Sequence, residues 1–288
     1  MNSVEQNLFK IKAKNILFLQ GPMGFYFKKL QTLLKVQNNV FRIGFNKGDE
    51  FFSLKDGFYS FRQNVCLWEQ YFSIFLEEKN IDIVLLFGDC RFYHKKAIDY
   101  CRKIKVLVYV FEEGYIRPNY ITIEKYGVNK NSLLSRDRSF YDNLDFKNIK
   151  TAVEKNTSKN AFFYMALQSA IYYLVSSLFR NQFPNYLHHR NFSTRKEFYI
   201  GIKNLSRWIK YKFKERNLQN HYKLKFRKRY YFVGLQTIND AQIKFHSGFN
   251  SVEEFIVFVL TSFSLYAPKD KLIVLKHHPM DRGRRDYY

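Results

Sequence analysis

Short apolar runs alternate with stretches of helical spacing along the first 115 residues, and this alternation constrains the fold more than any other feature. Four runs have the β-branched, leucine and aromatic content of buried strands: Asn15–Gln20, Asn39–Phe45, Ile81–Phe87 and Val106–Phe111. Helical spacing follows in between, for example over 66–79 and 93–104. Strands that alternate with helices over short connections predict a parallel, doubly wound α/β sheet.

Glycines and charged residues follow three of these strands. Those expected at one edge of the sheet are Gly21, Gly88, Asp89, Glu112, Glu113 and Gly114, and Arg91 follows Asp89 by two positions. Open α/β sheets bind ligands at the carboxyl ends of their strands, and glycine permits close approach. The acid pair, with Arg117 nearby, therefore favours a site. The alternative is the acidic start of a helix, against which Pro118 argues. The alternative for Asp89, Arg91 and His94 is an ordinary loop or helix-cap position. The Gly21 turn matches neither phosphate-binding glycine motif.

Composition restricts the class of partner. A formal net charge of +23 over 288 residues favours anionic partners: nucleic acid, an anionic membrane or phosphorylated substrates. The aromatic content of 19% suits an interfacial protein, although an AT-rich genome would also raise it. Three cysteines without a CxxC pair indicate neither a zinc site nor a disulfide framework, which fits a reducing cytoplasm. No signal peptide or spanning apolar run is expected, so we predict a soluble or peripheral protein.

The middle of the chain has a different character. Residues 130–160 are polar and predicted to be rich in loops, whereas Ala161–Phe179 is nearly all apolar or aromatic. The latter predicts a helix, either packed between domains or lying in a membrane interface. Arg195–Lys228 is strongly basic and predicts a helix with a solvated basic face.

A second α/β unit begins near the carboxyl end. Its predicted elements are a strand at Tyr230–Leu235, a helix at Val252–Tyr266 and a strand at Lys271–Leu275, followed by His277, His278 and Pro279. Two strands and one helix do not bury a core, so we expect this domain to be incomplete.

Several short motifs occur in an order and spacing that resemble one family. They are Gln20–Gly24, Phe45–Asp49, Phe87–His94, Phe111–Pro118, Gly127–Asn129, Leu235–Gln236 with Asp240–Ile243, and His278–Pro279. In this pattern the chain resembles the capsule polysaccharide biosynthesis (KpsS/LipB-like) family of bacterial Kdo transferases. The acid-acid-Gly and His-Pro pair also resembles the two signatures of bacterial sialyltransferases that use CMP-sugars.

This resemblance implies a GT-B-like architecture of two Rossmann-like domains, the second incomplete. The expected division is an N-terminal acceptor-side domain at 1–150, a helical connecting region at 151–228 and the start of a nucleotide-sugar domain at 229–288. It implies transfer of Kdo from CMP-Kdo to a lysophosphatidylglycerol or phosphatidylglycerol acceptor, which starts the glycolipid linker of the capsule. The family continues beyond His-Pro, so we expect a C-terminally truncated product, an interrupted gene, or a second polypeptide that supplies the remainder.

The resemblance also implies residue roles. Transfer would pass through an oxocarbenium-like state. Glu112 or Glu113 would stabilise this state, attack it, or deprotonate the incoming hydroxyl, and the sequence does not choose between the two residues. Products of the family retain the configuration of the donor, which is consistent with a covalent or ion-pair intermediate. His278 would hydrogen-bond or protonate the CMP phosphate, with Pro279 fixing its turn. The expected donor- and acceptor-binding residues are Gly21, Asp89, Arg91, Gly114, Arg117, Gln236, His246 and Pro279. No cofactor and no catalytic metal is expected, because no DxD motif is evident.

The expected surroundings are the cytoplasmic face of the inner membrane, with anionic phospholipid and other capsule-assembly proteins as partners. One alternative is a non-catalytic remnant that binds lipid or a partner protein in capsule assembly or export. Nucleic-acid binding is the third hypothesis, suggested by charge alone, since no helix-turn-helix, RRM or zinc signature is present.

Overall fold

The computed structural model describes residues 10–115, 120–142, 161–188, 194–238, 240–285 and 287. The chain forms two compact units, Met1–His189 and Arg190–Tyr288. Within the described residues, no helix combines the length and apolar character needed to cross a membrane.

The first unit contains six strands and six helices within its described residues. The strands are β1 (Asn15–Phe18), β2 (Asn39–Gly44), β3 (Phe58–Ser60), β4 (Ile83–Phe87), β5 (Leu107–Glu113) and β6 (Ile121–Lys125). The helices are α1 (Tyr26–Leu34), α2 (Lys47–Phe51), α3 (Trp68–Glu78), α4 (Phe92–Ile104), α5 (Arg138–Asp142) and α6 (Ala161–Leu178). Short 3₁₀ turns occupy Val65–Leu67, Asn129–Asn131 and Arg180–Gln182.

The six strands form one sheet in the order β3-β2-β1-β4-β5-β6. Every pair is parallel except β5 with β6, which is antiparallel. The predicted α/β class with a mainly parallel sheet is therefore confirmed, whereas the GT-B pairing of two domains stays a prediction. The antiparallel β6 was not predicted, and its partner β5 continues through both glutamates.

Each face of this sheet has its own hydrophobic core. On one face, β1 and β4 residues pack against Phe27, Leu30 and Leu34 of α1. On the other face, Trp68 and Phe72 of α3 and several α4 residues pack against the same strands. Helices thus cover both sides, as a doubly wound sheet requires, and the strand interiors are apolar on both faces.

Helices α2 and α6 are neighbours in the first unit. Asn46 directly precedes the short helix α2 and caps it, because its side chain accepts a hydrogen bond from Asp49 N. The predicted helix at Ala161–Phe179 is confirmed as α6, which packs against α2. Gly48 permits this contact: a Cβ there would lie 2.5 Å from Ser176 Oγ and 2.7 Å from Tyr172 Cδ2.

The second unit contains a parallel pair, β7 (Tyr230–Gly234) and β8 (Leu272–Lys276). Its helices are α7 (Thr194–Lys214), α8 (Leu218–Lys225), α9 (Ala241–Lys244) and α10 (Val252–Tyr266), and a 3₁₀ turn covers Pro279–Asp281. The basic stretch predicted as one helix at Arg195–Lys228 forms two, α7 and α8. The α10 bounds match the prediction, and its N-cap Ser251 accepts from Glu254 N.

Candidate functional site

The topological switch point of the first unit lies between β1 and β4. These strands are neighbours, yet the helices that follow them, α1 and α4, cover opposite faces of the sheet. The connections therefore diverge and leave a crevice outside the carboxyl ends, which is where open α/β sheets bind ligands. Gln20 and Gly21 follow β1, and Gly88 to Arg91 follow β4.

Arg91 bridges the two sides of this crevice. Its Nη1 donates to Oε1 of Gln20 at 2.9 Å and to the carbonyl of Gly21 at 3.4 Å. Its guanidinium also lies 5.9 Å from the centre of the Phe87 ring. The half-buried cation is thereby held at the end of β1 and β4.

The two glutamates of β5 lie on opposite faces of the sheet, because successive side chains of a strand alternate. Val108 and Val110 belong to the core on the α3 and α4 side, and Phe111 to the core on the α1 side. Glu112 therefore shares the α4 side with Arg91, whereas Glu113 is on the other. This distinction was left open by the sequence.

Glu112 is half-buried, and burial raises the pKa of its carboxyl. The negative charges of Glu113 and Asp89 raise it further, while the backbone N–H of Glu113, 3.0 Å away, and the charge of Arg91 lower it. A carboxyl with these neighbours has the environment of a residue that exchanges protons or contacts developing positive charge.

Asp89 organises the neighbouring loop. Its Oδ2 accepts from Val128 N at 3.0 Å and from Asn131 Nδ2 at 3.1 Å, and its Oδ1 accepts from the Cys90 thiol at 3.1 Å. Burial, together with Asp89, raises the pKa of Cys90, so this thiol is not activated. These contacts explain why Gly127–Asn129 accompanies Asp89: the aspartate holds that loop against the crevice.

A buried polar network adjoins the crevice, and no sequence pattern had indicated it. Gln20 Nε2 lies 3.1 Å from Asp49 Oδ2, 2.9 Å from Tyr172 Oη and 3.1 Å from Tyr186 Oη. Tyr172 also donates to Asp49 Oδ1 at 3.0 Å and accepts from Asn46 Nδ2 at 2.7 Å. Burial and the nearby Asp49 charge raise the pKa of both tyrosines, which stay neutral.

His94 is a further buried group on the α4 side. Its Nδ1 lies 2.7 Å from the Gly88 carbonyl, and within the described residues its buried Nε2 has no hydrogen-bond partner. Burial, followed by the charge of Arg91, lowers the pKa of His94 to about 3. The imidazole is therefore neutral at physiological pH.

Three predicted residues of the first unit remain: Gly21, Gly114 and Arg117. Gly21 is buried, and a Cβ there would lie 2.6 Å from Phe27 Cδ2, so packing alone requires glycine. Gly114 is buried directly after β5. Arg117 lies outside the described residues. The structure thus brings Gly21, Asp89, Arg91 and Glu112 to one sheet edge.

In the second unit, the ends of β7 and β8 are joined by Asp281. This residue is 2% exposed, and its Oδ2 accepts from Ile238 N at 2.7 Å. The bond ties the loop that begins at Gln236 to the 3₁₀ turn that begins at Pro279. Asp281 was not among the predicted residues, although an acid three positions after His278 in a tight turn is a recognisable signal.

His278 caps that 3₁₀ turn. Its Nδ1 accepts from Met280 N at 3.2 Å, so the neutral imidazole carries its proton on Nε2. Gln236 is exposed and His246 half-buried, in the loop after α9. His277 packs against the ring of Tyr287 with 5.0 Å between ring centres. Of the two adjacent histidines, His278 is the one predicted from the sequence, and its Nε2–H is available as a hydrogen-bond donor.

Comparison with known proteins identifies relatives over most of the chain. The family model described as "Capsule polysaccharide biosynthesis protein" matches residues 82–288. The chain is 34% identical over 284 residues to the capsule polysaccharide export protein KpsS of Escherichia coli, which covers 96% of this chain and 71% of KpsS. It is also 34% identical over 290 residues to the capsule polysaccharide modification protein LipB of Neisseria meningitidis serogroup A, which covers 98% of this chain and 68% of LipB.

Proposed function

The chain belongs to the capsule polysaccharide biosynthesis protein family, and we propose that it acts there as a glycosyltransferase. The proposed reaction transfers Kdo from CMP-Kdo to a lysophosphatidylglycerol or phosphatidylglycerol acceptor. The product would begin the glycolipid linker that carries the capsule. The names of the relatives speak of export and modification of capsule polysaccharide, and they support a role of this chain in that process.

The environment of Glu112 is the observation that carries the proposal. Glu112 is a half-buried carboxylate at the switch-point edge, on the same face of the sheet as Arg91. Departure of CMP from Kdo builds positive charge at the anomeric carbon, and a carboxylate stabilises that charge, attacks it or deprotonates the incoming hydroxyl. All three roles need the ionised form, which Arg91 favours. Glu113, on the opposite face, is the weaker candidate.

His278 would assist the leaving group. With Nδ1 occupied by the Met280 N–H, Nε2 is the donor, and the leaving CMP phosphate is an acceptor of such a bond. Pro279 and the Asp281 bond to Ile238 N hold the turn that carries it. We expect Gln236 and His246 to contact the nucleotide sugar from the same unit. No metal or cofactor is part of the proposal.

We expect the reaction to occur at an anionic membrane surface on the cytoplasmic side, since the proposed acceptor is a phospholipid. The net charge of +23 supports attraction to such a surface. Other capsule-assembly proteins are proposed partners, and no specific nucleic acid is.

The test is transfer to a defined acceptor. The purified chain is incubated with CMP-Kdo, generated in situ, and a fluorescent lysophosphatidylglycerol, and the lipid is analysed by mass spectrometry. We expect a mass gain of one Kdo residue, and Glu112→Gln should lower the rate at least ~100-fold. The control is Glu77→Gln, which removes an exposed acid of α3. Unchanged turnover in Glu112→Gln, Glu113→Gln and His278→Ala would contradict the site, and failure of the chain to bind CMP-Kdo would contradict the reaction.

A further inference from the structure

Helix α6 presents three polar side chains to the rest of the first unit. Gln168, Tyr172 and Ser176 recur every fourth residue and so share one face. Gln168 Oε1 accepts from Phe25 N at 3.2 Å, and Ser176 Oγ donates to Asn46 Oδ1 at 3.0 Å. Tyr172 is buried in the network described above. The hydrogen-bonding capacity of this face is used inside the unit.

The opposite face of α6 is apolar and exposed. Residues 161–178 include no Asp, Glu, Lys or Arg. We define the apolar stripe as five exposed residues that follow one another at helical spacings of three or four: Phe163, Leu167, Ala170, Leu174 and Leu178. The four large members are 64%, 44%, 59% and 69% exposed, respectively. The orientation is the reverse of an ordinary surface helix, which buries its apolar face and hydrates its polar one.

Aromatic and basic residues of the same unit flank this helix. The exposed Phe25 and Phe51 pack on Phe52, whose ring in turn stacks on Tyr172. Lys28 lies 5.9 Å from the centre of the Phe25 ring, and at the other end of α6, Lys47 lies 5.7 Å from that of Phe179.

Arg180, directly after Phe179, is exposed. Lys47 also pairs with Glu50 at 2.7 Å. An exposed apolar helix face on a unit that also carries aromatic rings and cations is typical of elements that lie in the headgroup region of a bilayer.

We propose that the apolar stripe of α6 inserts into the interface of an anionic phospholipid bilayer, with the helix axis parallel to the membrane plane. The cations Lys28, Lys47 and Arg180, together with the net charge of +23, favour a negatively charged surface, and the stripe has no polar group with which to recognise one protein partner. The inference rests on the proposed function in one respect, that a lipid acceptor lies in such a bilayer. It assigns the docking element, which the proposed function does not.

The experiment is flotation of the full chain with vesicles of phosphatidylglycerol and phosphatidylethanolamine, in the absence of any donor sugar. We expect binding to these vesicles, weaker binding to pure phosphatidylcholine, and a fraction that resists high salt because apolar burial is not screened. Leu167→Glu combined with Leu174→Glu should lower the partition coefficient at least about tenfold.

Two further variants isolate the cause. Leu167→Gln with Leu174→Gln adds no charge and retains helix propensity, and it should also lose the salt-resistant fraction. Ile74→Glu with Ile104→Glu is the matched control, because these residues of α3 and α4 are 46% and 45% exposed. This control adds the same charge away from α6 and should bind like the wild type. Circular dichroism of each variant checks that the fold is retained.

Two results would overturn the proposal. One is wild-type vesicle binding by both stripe variants. The other is a wild-type chain that does not float with anionic vesicles but forms a dimer, by light scattering, that the stripe variants abolish, since a second copy would then cover α6. Transfer to a water-soluble, short-chain acceptor is measured in parallel. It should survive in the stripe variants, and its absence in all forms would contradict the proposed function while leaving the vesicle result standing.

Discussion

Arg91 and Gln20 are hydrogen-bonded across the switch point of the first unit, with 2.9 Å between Nη1 of the arginine and Oε1 of the glutamine. Gln20 is itself fixed, since its amide nitrogen lies 3.1 Å from Asp49 Oδ2. The cation beside Glu112 is therefore positioned by buried groups and not by solvent. The charge and the position of Arg91 can be tested separately.

The charge of Arg91 should set the acidic limb of the pH–activity profile. Arg91 lowers the pKa of Glu112, so Arg91→Gln raises that pKa. Because the proposed reaction uses the carboxylate, activity should then be lost at a higher pH than in the wild type. Arg91→Lys keeps the charge and should move the limb less. Transfer rates from pH 4 to 8 measure this, with Lys103→Gln at the exposed end of α4 as the control. If the acidic limb of Arg91→Gln stays at the wild-type pH, Arg91 does not control the titration of the carboxyl that limits activity.

His278→Ala should slow transfer by about 100-fold or more, because the leaving phosphate loses its hydrogen-bond donor. His221→Ala, which removes an exposed histidine of α8 in the same unit, should have no effect. The measurement is kcat and KM for CMP-Kdo. A donor with a better leaving group than CMP should rescue the variant in part, and equal loss with both donors would assign His278 to folding or binding instead.

Removal of the Tyr172 hydroxyl should destabilise the first unit by about 1–3 kcal/mol, since buried Asp49 and Asn46 lose a partner. The variant is Tyr172→Phe, and Tyr164→Phe on the same helix, at a 55% exposed position, should change stability by less than about 0.5 kcal/mol. Unfolding by urea is followed in a Trp208→Phe background. Trp68, buried in the first unit, is then the one remaining tryptophan. Equal effects of the two tyrosine variants would mean that the network contributes no net stability.

Acid should destabilise the first unit through His94. Its pKa is about 3 in the folded chain, against an ordinary value near 6.5, so the unfolded chain binds the extra proton between these values. Stability from this group is complete above pH 6.5 and falls as pH decreases toward 3, by about 2 kcal/mol at pH 5. The free energy of unfolding of the Trp208→Phe background at several pH values measures this slope. It should be shallower in His94→Gln, and an identical slope in that variant would contradict the assignment.

The strands that could be predicted are those whose own residues form an apolar run, so that no knowledge of the pairing partner is needed. β4 and the start of β5 are buried on both faces and read as apolar runs. In contrast, β6 alternates Ile121 and Ile123 with Thr122 and Glu124, and it is recognisable only by its antiparallel pairing with β5. β3 has three residues, too few for a pattern.

The site was predictable to the extent that it depends on strand ends. Glu112, Asp89 and Arg91 follow directly from that rule. The choice between Glu112 and Glu113 required the alternation of β5 against two cores of known composition. The contact between Asp49 and Tyr172 joins residues 123 positions apart in the chain, and no local pattern announces such a pairing.

Gly48 has a consequence for α6 beyond close packing. A Cβ at this position would collide with both Ser176 and Tyr172, and one at Gly24 would collide with Gln168. A helix turns about 100° per residue, so contacts at three successive turns along one face fix its rotation about its own axis. Gly24 and Gly48 therefore fix the rotation of α6 about its axis. They determine which side chains of α6 point outward, although they contact only its inward-facing residues.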